Sequence, residues 1–345
     1  MKKSLVKTIV LLSTLLLLYS YEVNSDEIKI IHTNNTYKAT QSLMGSRFEI
    51  IVVHKEKSIA HKSIASAFQK INEIEKNISS WDPNSITSKI NKMSGIEPVK
   101  VDKEYLNFIG RCKKISSLTN GIFDISFASV DKHWSFKTSM TKLPNVDELK
   151  KSVRLINFKN IIINQKNTTI FLKEKGMKIG FGAIGKGYAA NHAKKVLVSM
   201  GIKSGIVNAG GDLIAWGLQE NGKPWKIKIA HPDNPDKAIT WLGISDTAIV
   251  TSGNYEHYVT INGKQYCHII NPKTGYPVSG IKSVTIISPD TELADAIATS
   301  VFILGKEKGM KLINKLNHVE GFIIDDQLTI LKSKNMKIND KEIKQ

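Results

Sequence analysis

The order of strand and helix patterns along the 345 residues predicts an α+β fold, with mixed sheets and helices packed against them. Short β-branched runs bounded by turn residues mix irregularly with stretches of helical period, whereas a doubly wound sheet requires regular βαβ alternation. No period of a few tens of residues recurs, which argues against a solenoid or a propeller. An apolar fraction of 41% is sufficient for a packed core.

The first 25 residues predict an export signal. A basic start is followed by an apolar stretch (residues 9–18) and a small-residue cleavage pattern (23–25). We therefore expect a periplasmic or otherwise exported protein whose mature chain is one domain, residues 26–345. The alternative is an uncleaved anchor in the inner membrane, because the apolar run over 5–21 approaches the roughly 17 to 25 residues that span a bilayer.

In the first half of the chain, one strand-like segment precedes two helices. Residues 37–53 are extended and contain a Met-Gly-Ser turn, and a helical period follows over 56–78. A loop is expected at 81–85, where the sequence is Trp-Asp-Pro-Asn-Ser. A second helix is expected over 103–118, because an Asn-Gly pair follows it as a stop signal. Strand patterns then dominate residues 154–179.

The second half alternates strands with two more helices. The glycine-rich stretch 180–187 opens a helix that runs to about residue 200, and another helix is expected over 291–304. The hairpin signal Asn262-Gly263 is strong, because both residues tolerate positive φ. Strands or hairpins are expected at 205–208, 225–230, 241–250, 258–270, 282–288 and 321–331.

The charge of the chain does not indicate a nucleic-acid partner, although its formal value is +18. Of the 49 basic residues three are arginine, the residue that forks onto guanine and phosphate. The lysines are scattered and no aromatic residues interleave with a basic cluster, so a solvated lysine surface is expected. Cys112 and Cys267 are two distant cysteines, and we treat them as ordinary residues.

The glycine-rich stretch Gly180–Gly187 partly satisfies two phosphate-binding patterns. As a Walker A loop it lacks the final Ser or Thr, because Gly187 stands there. As a dinucleotide fingerprint it lacks the acidic residue about 20 positions further on. Both patterns share a flexible backbone at a helix N-terminus, and with Lys186 this predicts a phosphate cradle. Close packing of a strand on a helix explains the glycines equally well.

Asp295 and Thr299 are four residues apart, so they share one face of the predicted helix. A carboxylate and a hydroxyl are hard oxygen ligands that Mg²⁺ accepts, with phosphates and water in the other positions. The alternative is a surface Asp and a Thr bonded to its own helix backbone. Two polar loops, 251–255 and 268–275, are either parts of a site or ordinary turns.

Taken together, these segments resemble the ApbE family of FAD:protein FMN transferases. The resemblance covers nearly the whole mature chain and implies a T-fold-like architecture. The matching segments stand in family order: Met44-Gly45-Ser46, 80–85, Phe123-Asp124, 182–188, 207–212, 251–253, 268–275 with Pro277, and 294–299.

The resemblance implies a set of site residues. Mg²⁺ would be bound by the side chains of Asp295 and Thr299 and by the backbone carbonyl of Ala183. Aromatic positions would pack against rings, Asp124 would accept hydrogen bonds from a ring or ribose, and Lys186 would meet phosphate charge. The positions that correspond to FAD contacts are Met44, Trp81, Ile122, Phe123, Asp124, Gly180, Lys186, His268 and Ile269.

The chain departs from the family pattern at three positions. Gly180 stands where many members have an acidic residue, and Cys267 stands where many have a second histidine. Asn271 replaces the Asp that often precedes the proline. The metal pair is intact, so these departures bear on FAD affinity more than on activity.

The function implied by the resemblance is Mg²⁺-dependent transfer of FMN from FAD to a Thr or Ser hydroxyl of an acceptor protein, with release of AMP. The acceptors would be flavin-carrying subunits of a membrane redox complex. Asp295 or His257 would accept the hydroxyl proton. The alternatives are a Mg²⁺-dependent FAD hydrolase and a non-catalytic FAD-binding protein.

Overall fold

A computed structural model of the chain describes residues 28–136 and 140–336, and the expected export signal at 1–25 lies outside them. The predicted α+β class is confirmed. The strands are β1 (Ile30–Thr33), β2 (Thr36–Leu43), β3 (Ser46–Val53), β4 (Val99–Lys100), β5 (Ile161–Asn164), β6 (Thr169–Leu172), β7 (Gly205–Ala209), β8 (Asp212–Trp216), β9 (Trp225–His231), β10 (Asn234–Ile244), β11 (Thr247–Gly253), β12 (Tyr258–Ile261), β13 (Lys264–Cys267), β14 (Ile281–Ser288), β15 (Glu320–Asp325) and β16 (Ile330–Lys332).

Nine of these strands form one antiparallel sheet in the order β1-β2-β3-β7-β8-β11-β14-β15-β16. The extended segment predicted at its start is a hairpin of β2 and β3, because Met44 and Gly45 take positive φ values of 52° and 69° and reverse the chain. Along β3 the residues alternate between the core and the outside, with Phe48, Ile50 and Val52 fully buried.

Four helices cover one face of the sheet and follow one another across it: α1 (Lys57–Ile78), α5 (Gly185–Ser199), α6 (Thr291–Leu304) and α7 (Lys306–Lys315). The other described helices are α2 (Ile86–Lys92), α3 (Lys103–Leu118) and α4 (Val146–Val153). The predicted helices agree with α1, α3, α5 and α6 to within about one residue at most ends.

A ribbon of β9 and β10 covers the opposite face of the sheet. Its inward residues Trp225 and Ile229 pack with Ile249 and Phe322 of the sheet. The strand predicted over 241–250 is wrong in one respect, because the chain turns at Asp246, with φ 49°, and the segment divides between β10 and β11.

Smaller elements complete the described fold. They are a three-stranded sheet (β4-β6-β5), two 3-10 helices (Ile125–His133 and Phe158–Asn160) and the β12–β13 hairpin. The hairpin turns at Asn262-Gly263, as predicted. The sequence did not predict α2, α4, α7 or the 3-10 helices.

Two further observations limit the architecture. Within the described ranges, no helix combines the length and apolar character needed to cross a bilayer. Cys112 and Cys267 are both free and buried, and they belong to different core clusters.

Candidate active site

A cavity opens where the first turn of α5 and the middle of α6 meet the start of β8 and the end of β11. Helix α5 contributes Lys186 and helix α6 contributes Asp295 and Thr299, while Asp212 comes from the start of β8 and Ser252 from β11. The remaining wall is formed by the segments 122–127, 180–184 and 268–272. Residues that are far apart in the chain therefore surround one space.

Close packing of α5 on α6 sets the position of Asp295. The backbone N–H of Gly187 donates to Asp295 Oδ2 at 3.0 Å. A Cβ on Gly187 would lie 2.3 Å from the carbonyl oxygen of Thr291 and 2.9 Å from Asp295 Cβ. Glycine is required at this position because two helices approach each other, rather than a strand and a helix as the packing alternative had it.

Asp295 is buried (3% exposed), so the alternative of a surface Asp is wrong. Thr299 lies one helical turn further along α6, in the same cavity wall, and its Oγ1 is 3.5 Å from Ser252 Oγ. The neighbouring hydroxyl that bonds back to the helix backbone is that of Ser300, which donates to the carbonyl of Ala296 at 2.6 Å. Asp295 and Thr299 thus present a carboxylate and a hydroxyl to the cavity, and both groups have oxygen atoms that can bind a metal ion.

An ion pair between two lining residues of the cavity joins α5 to β8. Lys186 Nζ lies 3.0 Å from Asp212 Oδ2, and the Asp212 side chain is 2% exposed. Burial acts to lower the pKa of Lys186, but the carboxyls of Asp212, Asp295 and Glu256 outweigh it and raise the pKa above its usual value. Lys186 therefore stays protonated in the cavity.

Burial raises the pKa of three carboxyls of the cavity. Burial, followed by the nearby charge of Asp212, raises the pKa of Asp295 to about 8, although Lys186 and the Gly187 N–H oppose the shift. Burial also raises the pKa of Asp212 and of Glu256, with Lys186 opposing in both cases. A group of acids with one lysine favours an added cation, because a cation would stabilise their ionised forms.

The donor set fits Mg²⁺ better than a transition metal. Within 28–136 and 140–336, no three His, Cys, Asp or Glu side chains converge on a common point, as a closed metal site would require. One carboxylate, one hydroxyl and the Ala183 segment in the cavity wall leave positions for phosphate oxygens and water. Mg²⁺ is usually bound in this way, through one or two carboxylates and substrate phosphates.

Comparison with known proteins identifies the family. The model of the ApbE family matches residues 44–323. The chain belongs to the ApbE family. It is 29% identical over 298 residues to the FAD:protein FMN transferase of Buchnera aphidicola, covering 84% of this chain and 86% of that protein. The corresponding protein of Treponema pallidum is 26% identical and covers 84% of each chain.

Solved structures of the ApbE family share the fold. The ApbE protein of Thermotoga maritima superposes with a TM-score of 0.80 at 29% identity, covering 87% of this chain and 97% of that one. The flavin transferase ApbE of Vibrio cholerae gives a TM-score of 0.77 at 24% identity, with coverage of 89% and 98%. At that identity the second match supports the fold alone.

The structure brings most of the predicted site residues together. Ten of them line the cavity: Ile122, Phe123, Asp124, Gly180, Ala183, Lys186, His268, Ile269, Asp295 and Thr299. Trp81, which is 73% exposed, and His257 line an adjoining cavity instead. Met44 lies against the start of α5, with its methyl 3.3 Å from the point where a Cβ on Gly185 would stand.

Asp124 lines the cavity, but its carboxylate is engaged with the backbone. Oδ1 accepts the N–H of Ser126 at 2.9 Å and its hydroxyl at 2.6 Å, and Oδ2 accepts the N–H of Phe158 at 2.8 Å. The carboxylate thereby caps the 3-10 helix Ile125–His133 and fixes this wall of the cavity. Hydrogen bonds to a ring or a ribose, predicted from the resemblance, would have to share these oxygens.

The two predicted histidines contact each other at the junction of the cavities. Their ring centroids are 5.5 Å apart, and the backbone N–H of His268 donates to the backbone carbonyl of His257 at 2.9 Å. Burial, together with the charges of His257 and Lys186, lowers the pKa of His268 to about 4 against the effect of the His257 carbonyl. His268 is therefore neutral at pH 7.

Sequence reasoning did not assign a role to Asp212, Ser252 or Glu256. Asp212 stood within a matched segment, and one signal marked it as unusual. It is the first residue of β8, whose other four residues are apolar and buried, and a charged residue in such a strand requires a buried partner. The sequence does not reveal that the partner is Lys186, 26 residues earlier.

Proposed function

We propose that this ApbE-family chain is an FAD:protein FMN transferase that depends on Mg²⁺. The observation that carries the proposal is the convergence of Lys186, Asp295 and Thr299 in one cavity between the first turn of α5 and the middle of α6. A cation and a helix N-terminus suit a pyrophosphate, while a carboxylate and a hydroxyl suit Mg²⁺. The relatives named FAD:protein FMN transferase support the same activity.

The residues of the chain would mainly bind and orient the substrate. Lys186, held in place by Asp212, would face the pyrophosphate of FAD. The apolar residues Ile122, Phe123 and Ile269 would exclude water from the reacting phosphorus. Asp295, Thr299 and the Ala183 carbonyl would hold Mg²⁺, which when bound neutralises negative charge on the pyrophosphate.

In the reaction, the FMN half of FAD is transferred through its phosphorus to a hydroxyl oxygen of the acceptor. The acceptor oxygen forms a bond to the FMN-side phosphorus, the bond from that phosphorus to the bridging oxygen breaks, and AMP leaves. The hydroxyl proton passes to Asp295 or to His257. Positioning of the hydroxyl supplies much of the rate, since proximity alone is worth roughly 7 to 11 kcal/mol.

We infer that residues 1–25 direct the chain out of the cytosol, and that the acceptor is a Thr or Ser of a flavin-carrying subunit in a membrane redox complex. Covalent attachment would keep the cofactor from diffusing away after export. Docking of the acceptor would also exclude water, which would otherwise take the place of the hydroxyl.

The test is to incubate residues 26–345 with FAD, Mg²⁺ and a candidate acceptor, with Asp295→Asn as the control. Transfer predicts a fluorescent flavin band that survives denaturation, an FMN-sized mass increase on a Thr or Ser, and an equal amount of AMP. AMP with free FMN and no adduct would indicate a hydrolase. FAD bound and recovered unchanged with every acceptor would indicate a binding protein.

A further inference from the structure

A second cavity adjoins the candidate active site and has a different chemical character. The two cavities share Phe127, His268 and Ile270, so a ligand in one can extend into the other. The second cavity is lined by Trp81, Phe127, Asp131, Lys132, Trp134, Ser135, Phe136, His257, His268 and Ile270. Aromatic rings make up much of this wall, and Asp131 is its one acidic residue among those that the structure describes.

The aromatic wall is fixed by contacts of its own. The indole N–H of Trp134 donates to the carbonyl of Gly275 at 2.8 Å. The rings of Trp134 and Phe136 are nearly parallel, at 6° and a centroid distance of 6.0 Å, and Tyr276 packs edge-on at 5.9 Å. Phe136 in turn meets His268 edge-on at 6.5 Å. A wall held in this way is preorganised to receive a flat ring.

Asp131 is an unpartnered acid in this wall. It lies near the end of the 3-10 helix Ile125–His133 and is half-buried. Its carboxyl makes no hydrogen bond or ion pair with any described residue, and Lys178 is the charge that acts on it. Burial raises the pKa of Asp131 to about 7, with Lys178 opposing. A carboxyl of this kind is available to bind a ligand that presents hydrogen-bonding groups to the cavity.

We propose that Asp131 binds the hydrogen-bonding edge of a planar heteroaromatic ring that stacks in the second cavity. This inference rests on the proposed function, since the ring would be one of the two in the dinucleotide whose pyrophosphate lies beside Lys186. The ligand class is a ring that presents an N–H donor next to an acceptor atom. The flavin ring has such an edge in its imide group, and adenine has one in its amino group and ring nitrogen.

The protonation behaviour of Asp131 suits this edge. A neutral carboxylic acid donates through its O–H and accepts through its carbonyl oxygen, so it pairs with a donor and an acceptor that lie side by side. Removing this pairing leaves the ring edge without its protein partners, which reduces affinity beyond any loss of stacking area. Asp131 would therefore decide which ring is accepted.

The experiment measures binding rather than turnover. Dissociation constants of FAD, FMN and ADP are determined with Mg²⁺ for the unaltered chain, Asp131→Ala and Asp131→Asn, and Asp326→Ala serves as an exposed control. Loss of two hydrogen bonds predicts that Asp131→Ala binds FAD about tenfold more weakly. Asp131→Asn retains a donor and an acceptor and is expected to stay within about threefold of the unaltered chain.

The fragments identify the ring. If the flavin ring occupies the second cavity, Asp131→Ala lowers the affinity for FMN and FAD by the same factor and leaves the affinity for ADP unchanged. If the adenine ring occupies it, the substitution lowers the affinity for ADP and FAD by the same factor and leaves the affinity for FMN unchanged. If Asp131→Ala binds FAD, FMN and ADP each as tightly as the unaltered chain does, and its thermal unfolding is unchanged, the inference is overturned and the proposed function still stands. Failure of the unaltered chain to bind FAD at all would overturn the proposed function itself.

Discussion

Asp295 combines two tasks, because its carboxylate accepts the Gly187 N–H and also faces the cavity. Asp295→Asn retains an oxygen for the Gly187 N–H but removes the charge that Mg²⁺ requires. We expect turnover to fall on the order of a hundredfold or more, with little change in thermal unfolding. Asp326→Asn, in an exposed turn, is the matched control. Near-normal activity of Asp295→Asn at limiting Mg²⁺ would place the metal elsewhere.

The Lys186–Asp212 pair is a buried charge pair, so its members should be strongly coupled in stability. Lys186→Met leaves three acidic groups without their cation, and Asp212→Asn leaves the Lys186 ammonium with fewer acidic partners. Breaking a buried pair in this way lowers the free energy of unfolding by about 3–5 kcal/mol. The double variant should recover part of that loss, because neither charge is then left alone. Urea unfolding of the four proteins measures the coupling.

The affinity for FAD should not recover in the double variant, although part of the stability does. Lys186→Met and the double variant are both expected to bind FAD more weakly, since the phosphate-facing cation is missing in each. Additive stability losses in the cycle, with no coupling above about 0.5 kcal/mol, would contradict the buried pair.

At the scale of elements, the contact of α5 with α6 aligns the site. In Gly187→Ala the new methyl would meet the Thr291 carbonyl at 2.3 Å, and the two helices would have to separate. We expect this substitution to lower both the unfolding temperature and FAD turnover. Gly110→Ala is the control, because Gly110 lies in α3 and the added methyl would meet no atom within 4 Å beyond its own stretch of helix. It should be neutral or stabilise by about 0.5–1 kcal/mol.

The long helices were predictable from sequence because their signals are local. Helices α3 and α6 begin after Asp102 and Asp290, whose carboxylates accept the N–H of a residue three positions on, and both show an apolar period. Helix α7 follows directly after Gly305, at φ 79°, with a polar composition, and α2 has seven residues. Helices so short are stabilised by tertiary contacts, which a local pattern does not contain.

The site was predictable to the extent that its residues stand in recognisable segments. Asp295 and Thr299 share a helix face at a spacing of four, so their common direction follows from helical geometry. The role of Asp212 depends on the pairing of β7 with β8 and on the packing of α5, which are long-range features. The same holds for Asp131, whose unpartnered state is a property of the folded surroundings.

At the scale of the whole molecule, the described fold begins just after the expected export signal. Strand β1 starts at Ile30, so removal of residues 1–25 leaves every described element intact. We expect N-terminal sequencing of the native protein to begin at Asp26. Residues 26–345 should unfold at the same temperature as the full chain and carry the same activity. A native chain that starts at Met1 in the cytosol would contradict the export proposal.

The stability of the whole molecule should fall as pH drops below 6.5, and His192 on α5 is one cause. Burial, with Lys195, Lys70 and Arg111 nearby, lowers the pKa of His192 to about 4, although Glu104 opposes the shift from 3.3 Å away. Between pH 6.5 and about 4 the unfolded chain binds a proton at this residue that the folded chain does not. Stability therefore rises with pH across this window and is fully present above it.

The size and origin of that slope can be measured directly. One proton corresponds to at most about 1.4 kcal/mol per pH unit, and partial solvent contact makes the contribution of His192 smaller. We expect His192→Gln to flatten the dependence of the unfolding free energy on pH between 6.5 and 4.5, and His318→Asn, at an exposed turn, to leave it unchanged. His268, with a pKa also near 4, should add a second part of the slope in the same window. An unaltered slope in His192→Gln would mean that His192 is protonated in the folded chain at these pH values, and the Glu104 contact would then be a charged ion pair.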